Sequence, residues 1–267
     1  MKNRILTLFI GIAAAFGMQA QEYTTYLFAY FSGNWPDGEQ VRYALSDDGY
    51  NYHALNYGRP VVASDTIALK RSVRDPHILR AEDGKTFFKD EGRSVMNKKG
   101  NFRTRQGVMR ATSKSLTGPY EVEYRHLQKP GQYPTEGSSV FPLIGSDEYI
   151  LMYDCYANGH YQFCKSNDLK NFTYVQNTPT RGTFTPRHGS VIHITDAERQ
   201  RLEAWSSLGE AVQDMEKIAV PCYTLDELAK RKDLETYASQ VMATKNTPKA
   251  FKKTEKKIRK FIAKVKQ

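Results

Sequence analysis

Two acidic residues stand where a strand is about to begin. Glu136 lies in PTEGSSVFPLI, a small-residue turn that runs into an apolar stretch at residues 140–144, followed by a polar turn at 145–147 and a second apolar run at 149–153. Two short runs separated by turn residues read as a β-hairpin, with the acid at the mouth of its first strand. Asp75 opens a similar unit in RDPHILRAEDGKTFF, where the acid and a Pro precede an apolar run, a Gly/Asp turn and an aromatic run. A strand end holds a side chain rigidly, so two such acids brought together form a fixed pair of carboxyls. One carboxyl kept protonated and one kept ionised is the equipment of general acid–base chemistry. At a separation of ~6.5–9.5 Å such a pair leaves room for a water, the arrangement that splits a glycosidic bond with inversion.

Bringing the acids together is a task for the repeats around them. EQVRYALSDDGYNYHALN from Glu39, GVMRATSKSLTGPYEVEY from Gly107 and YQFCKSNDLKNFTYVQN from Tyr161 share one design. Each has an alternating strand, a small residue with Ser, a polar turn and an aromatic-bearing strand; in the first copy these are residues 41–45, 46–49 and 50–55. Joined to an acid-led hairpin, the unit makes a four-stranded antiparallel meander, and meanders at ~40–50 residues are the mark of β-propeller blades. PRHGSVIHIT, residues 186–195, reads as one more inner strand, begun by Arg187 and His188. A β-sandwich also uses short strands and regular turns. Only a propeller, however, makes acids at one phase of the repeat converge on an axis. The expected fold is therefore all-β, a propeller of four-stranded antiparallel blades with a helical, basic C-terminal extension. That extension comprises a helix from Thr195 or Asp196 with Leu202 and Trp205 at helical spacing, and a second over residues 224–241 with Leu225, Leu228, Leu234 and Tyr237 on one face. A third stretch carries Phe251, Ile258, Phe261, Ile262 and Val265 along one side.

Charge and cysteine content narrow the function classes. The formal net charge is +10, but residues 245–267 hold ten Lys/Arg against one Glu, so the rest of the chain is nearly neutral. A basic tail without a basic groove argues against a nucleic-acid protein and for contact with an anionic surface. Three cysteines, Cys155, Cys164 and Cys222, are too few for a disulfide framework. A two-residue turn at Asn158-Gly159 would set Cys155 opposite Gln162, so all three read as core or surface thiols, with a bridge open to them but not required. Residues 1–20 read as a secretion signal: Lys2 and Arg4, an apolar core over 5–16, and a small residue at Ala20 before the expected cleavage. No cysteine near that site suits a lipid anchor. The protein is expected to be exported to the periplasm or beyond, with a propeller over 21–195 and the extension over 196–267.

The motifs VRDPHIL, TEGSSVF, SNDLKNF and PRHGSVI together resemble glycoside hydrolase family 43 and its relatives, five-bladed propeller glycosidases, over about residues 26–195. The resemblance implies Asp75 as general base, Glu136 as general acid, Arg187 as a substrate contact, and His188 near the axis beside an ion or water. It implies no required cofactor, with calcium the candidate for an axial ion, and arabinofuranosides, xylosides and galactosides of glycans as substrates. The departures are specific. Residues 26–195 number 170, too few for five blades at ~40–50 residues each. The shortening falls near residues 85–88, and one to two blades are missing. The family's third acid and the Trp-Ala-Pro segment beside it have no match. An alternative is a carbohydrate-binding or decayed propeller without turnover; the sequence does not indicate an oligomeric state.

Overall fold

The strand β1 (Thr25–Phe31) reads TYLFAYF with no polar alternation, and it is buried along its whole length. Both of its faces are covered, which is the condition for a continuous apolar strand. Tyr26, Phe28 and Tyr30 point into one cluster with Phe141, Ile150, Met152, Tyr161 and Phe163. Leu27 points the other way, to Leu45, Leu55, Ile194 and the partly buried Leu202. The computed structural model describes residues 22–61, 72–78, 86–96, 102–112, 119, 121–129, 134–180 and 182–266. The expected secretion signal and the turn after RDPHI lie outside these residues.

Three antiparallel sheets carry the β part. The first has the order β11–β1–β2–β3, formed by β1, β2 (Arg42–Ser46), β3 (His53–Ala54) and the last strand, β11 (Arg187–Ile194). The second runs β7 (Glu136–Pro142), β8 (Tyr149–Cys155), β9 (His160–Ser166), β10 (Thr173–Pro179). The third has three strands, β4 (Thr86–Met96), β5 (Phe102–Thr112) and β6 (Glu121–His126). Residues alternate sides along β8. Ile150 and Met152 face the first sheet, while Leu151, Tyr153 and Cys155 face Val108 and Leu127 of the third. The second sheet is thus the middle layer, and its inner strand β7 lies against both β11 and β4. Among the described residues this is an incomplete propeller and not a closed ring, in keeping with a five-bladed plan shortened by one to two blades.

Two sequence expectations change. The run 50–55 contributes only the two-residue strand β3, because a 3-10 turn at Asn56–Gly58 redirects the chain. Cys155 pairs in register with His160, not Gln162. Residues 156–159 form the turn, closed by the Asn158 N–H on the Cys155 carbonyl, so the loop is longer than two residues. All three cysteines are free thiols, with Cys155 and Cys164 buried and Cys222 exposed.

The helical extension begins where β11 ends. Thr195 caps α1 (Asp196–Glu216) and Thr224 caps α2 (Leu225–Thr244), each in a reciprocal capping box with the Glu three residues on. Pro248 opens α3 (Pro248–Val265) at a position that needs no N–H. Leu208, Ala211 and Met215 of α1 meet Phe251, Ile258 and Phe261 of α3 in a separate core. The buried side of α2 holds Ala238 and Val241, whereas Leu225 and Tyr237 are exposed. Leu228 and Leu234 of the face expected from sequence do pack against this core, so the expectation holds in its middle and fails at Leu225 and Tyr237. No helix among the described residues is long and apolar enough to cross a membrane.

The repeat is visible atom by atom in two turns. Ser46 donates to Asp48 at 2.9 Å and Asn51 Nδ2 to Asp48 at 2.7 Å; Ser166 and Asn171 make the same bonds to Asp168, both at 2.8 Å. Partial burial opposes ionisation of Asp48, but hydrogen bonds from Asn51, Tyr50 and Ser46 outweigh it and hold the carboxyl below the usual range. Asp168 is held well below it by the N–H groups of Asn171 and Lys170 and by the Ser166 and Asn171 side chains. A carboxyl depressed in the folded state stabilises above its unfolded value, about pH 4, and that stability is lost as pH falls through the folded value. The urea midpoint is therefore expected to drop below pH 4, and the drop to shrink in an Asp48→Asn/Asp168→Asn variant.

Candidate active site

Two bulges aim the side chains. Along β7–β8 the register runs Glu136↔Asp154 and then Ser139↔Met152, so β7 carries one extra residue. Gly137 takes φ +60 within this bulge, a left-handed conformation that suits glycine. A Cβ there would sit 2.5 Å from His188 Cδ2, so glycine also lets β11 approach. Along β1–β11, Tyr30 pairs with Gly189 and Phe31 with Arg187, which leaves His188 as the extra residue. Bulges next to sites re-aim side chains, and here they turn Glu136 and His188 toward each other.

The imidazole of His188 joins the two acids singled out by sequence. Its Nδ1 lies 2.7 Å from Asp75 Oδ1 and its Nε2 3.1 Å from Glu136 Oε2. Nδ1 is hydrogen-bonded to Asp75, whereas Nε2 meets Glu136 only as an ion-pair contact, so the two carboxyls face different nitrogens of one ring. The Nη2 of Arg187 also lies within hydrogen-bond reach of His188 Nε2, at 3.3 Å. An arginine N–H can only donate, so Nε2 accepts it and Nδ1 is the nitrogen that donates to Asp75. Asp75 precedes Pro76 yet has φ +49, where a residue before proline favours extended backbone. The segment is held there by the Ile78 N–H on Ser190 Oγ at 2.6 Å and by the Val73 N–H on the Glu39 carbonyl at 2.8 Å. The ring of buried Phe31 meets His188 edge-on at 5.7 Å, and the Arg74 guanidinium lies 5.6 Å from the same ring.

Arg187 is also in the cluster, engaged mainly with a residue that sequence reasoning missed. Its Nε donates to Asp154 Oδ2 at 2.6 Å, its Nη2 stands 3.8 Å from Glu136, and its guanidinium covers Tyr156 at 5.2 Å. Asp154 lies on β8 directly across from Glu136, with its side chain 2% exposed. Burial pushes its carboxyl up, Arg187 and His188 pull it back, and the Glu136 charge adds to the rise. The signal was an acid inside YILMYDC, an otherwise apolar strand, since a buried charge is normally paired. A third carboxylate is thus present, from the strand beside Glu136 and not from an intervening blade. Among the described residues no group of three or more His, Cys, Asp or Glu is placed to hold a metal. The guanidinium of Arg187 already sits against Asp154, Glu136 and His188 Nε2, and a fixed cation there does not suit a calcium ion, which takes ~6–8 oxygen ligands.

Residues 21–89 and 89–200 match the model of a family described as "Probable glycosyl hydrolase domain". The chain belongs to this family, a relative of glycoside hydrolase family 43. The two matched segments meet at residue 89, beside the place where the sequence is shortened. No curated protein matches the chain.

The Arg187–Asp154 pair is asymmetric, with side chains 28% and 2% exposed. Removing the cation strands a buried carboxylate, a loss of up to ~3–5 kcal/mol for a buried pair. Removing the anion strands a guanidinium that water can reach. Chemical denaturation is expected to rank Arg187→Met as clearly more destabilised than Asp154→Asn.

Proposed function

We propose that the protein is an exported glycoside hydrolase that cleaves O-glycosidic bonds in oligosaccharide or polysaccharide side chains with inversion. The observation that carries this reading is the meeting of Asp75 and Glu136 at the two nitrogens of His188, at 2.7 and 3.1 Å. In the proposed reaction Glu136 gives a proton to the glycosidic oxygen as the bond to the anomeric carbon breaks. Water attacks that carbon from the opposite side while Asp75 takes its proton. This leaves Glu136 ionised and Asp75 protonated. Proton exchange with bulk water, which reaches the exposed Asp75 side chain, then returns both carboxyls to their starting states. The Nη1 of Arg187, which makes no bond among the described residues, is proposed to contact substrate. No step uses a metal ion. Arabinofuranosides, xylosides and galactosides are the proposed substrates, following the family resemblance.

Aryl glycosides of these three sugars test the reading. Glu136→Gln and Asp75→Asn are each expected to lower kcat/KM by ~100- to 10,000-fold, the worth of a general acid or base. Proton NMR of the first-formed product should show the inverted anomer. No hydrolysis by the folded wild-type protein would replace this reading with the glycan-binding or decayed propeller.

A second contact is proposed for α3. Its apolar side is taken up by α1 and α2, and Lys249, Lys252, Lys253, Lys256 and Lys260 are exposed without an ion pair among the described residues. The helix therefore meets an anionic surface by charge alone, which salt screens over ~10 Å at 0.1 M. Binding to anionic phospholipid vesicles is expected to fall steeply between low salt and 0.5 M, and to vanish when Lys252, Lys253, Lys256 and Lys260 become Gln. Binding that survives either change would overturn the contact.

A further inference from the structure

Beyond β1 the chain makes a loop, residues 32–40, that displays Trp35 at the site end of the first sheet. Trp35 is 54% exposed, an unusual degree for the largest apolar side chain. The ring is nevertheless held in place. A Cβ at Gly33 would come 1.9 Å from Trp35 Cζ3, and one at Gly38 would come 2.7 Å from Cε2. The indole therefore lies on two glycine backbones, one face covered and the other open to solvent. Arg42, only 3% exposed, pins the loop from below. Its guanidinium donates to the carbonyls of Gly38, Gln40 and Asp37 at 3.3, 3.1 and 2.7 Å and to Asp37 Oδ2 at 2.8 Å. The N–H of Ser32 on the Gly38 carbonyl and the N–H of Glu39 on the Trp35 carbonyl, both at 2.9 Å, close the loop on itself.

This loop is continuous with the acid cluster at both its roots. Phe31, at one root, touches His188 and Arg74. Glu39, at the other, accepts from Val73, two residues before Asp75. A rigid, flat, half-covered aromatic ring joined to a reaction centre is a platform for a ligand that is itself flat and apolar on one side. A pyranose ring with its C–H bonds gathered on one face fits, because those hydrogens meet the negative face of the indole. Residues 32–40 contain no Lys or Arg, so nothing on the loop attracts a carboxylated sugar. We infer that Trp35 forms a binding subsite for an uncharged pyranose of the glycan chain, outside the bond that is cleaved. The inference rests on the proposed glycoside hydrolase reading.

The chain has two tryptophans, so Trp205→Phe leaves Trp35 as the sole emitter, and Glu136→Gln in the same protein removes turnover. Titration with neutral xylo- and galacto-oligosaccharides, both pyranose chains, is expected to give a saturable change in Trp35 emission with at least one series. By calorimetry Trp35→Ala should weaken that binding about 3- to 10-fold, the worth of one aromatic contact, and Trp35→Phe should restore part of it. Oligosaccharide bound or hydrolysed with unchanged emission and equal affinity in Trp35→Ala would overturn the subsite and leave the Asp75–Glu136 reading intact. Emission change without hydrolysis by the wild type would support the subsite and sink the enzyme. Absence of emission change, heat and hydrolysis with every series would overturn both.

Discussion

The pairing of β1 with β11 is the constraint from which the rest follows. It joins residues 25–31 to residues 187–194, so most of the β part is a loop closed by one ladder. The cost of closing a loop grows slowly, by ~0.6 kcal/mol per doubling of length. Against it, Tyr26, Phe28, Tyr30 and Phe31 are all buried, and burial of one large apolar side chain contributes ~1.5–3 kcal/mol. Four aromatics on one strand outweigh the length of the connection. The same ladder sets His188 and Arg187 at the end of Phe31 and points the chain out of Ile194 into α1.

The helical extension then protects that seam. Leu202 of α1 covers the face of β1 and β2 that the middle sheet does not. Farther along, Ser206 accepts the Asn56 N–H at 2.7 Å, and Gln213 donates to Asn56 Oδ1 at 2.8 Å. These bonds satisfy a turn whose Asn56 and Tyr57 both have positive φ. Gly209 allows the close approach, since a Cβ there would stand 2.3 Å from Asn56 Oδ1. Arg199 adds an ion pair to Asp47 at 2.6 Å, exposed and therefore a weak contributor. In a ring with fewer blades, a helix in this place supplies apolar cover that a neighbouring sheet would otherwise give.

Much of this was legible in the sequence, and the misses have physical causes. The hairpin at Glu136, the inner strand at Arg187 and the helix starts at Thr195 and Thr224 carry local chemistry: turn residues, apolar runs and capping pairs. The recurrence of Ser, Asp and Asn in two turns reflects one hydrogen-bonded structure used twice. The four candidate site residues, Asp75, Glu136, Arg187 and His188, do meet, because each stands at the start of its unit. Asp154 was not singled out because its role depends on a register. Only when Pro142 pairs with Tyr149 does Asp154 arrive opposite Glu136. The bulges that free Gly137 and His188 are likewise properties of paired strands. The face expected for α2 holds at Leu228 and Leu234 but not at Leu225 and Tyr237, because α1 and α3, not helical spacing alone, decide which residues lose water.

The loss of blades leaves the acid cluster assembled because its members come from adjacent pieces of chain. Glu136 and Asp154 are cross-strand neighbours, Arg187 and His188 are consecutive, and residues 72–78 are tied to β11 through Ser190. The shortened place near residues 85–88 lies between Asp75 and Glu136 in sequence, and the tie of residues 72–78 to β11 keeps the two acids together across it. Their access to water is graded, with side chains of Asp75, Glu136 and Asp154 exposed by 56%, 27% and 2%. The buried one is matched by Arg187, the outermost one meets solvent, and the imidazole of His188 lies between the outer two. Arg187 therefore keeps the interior free of an unpaired charge, where such a charge would be most costly.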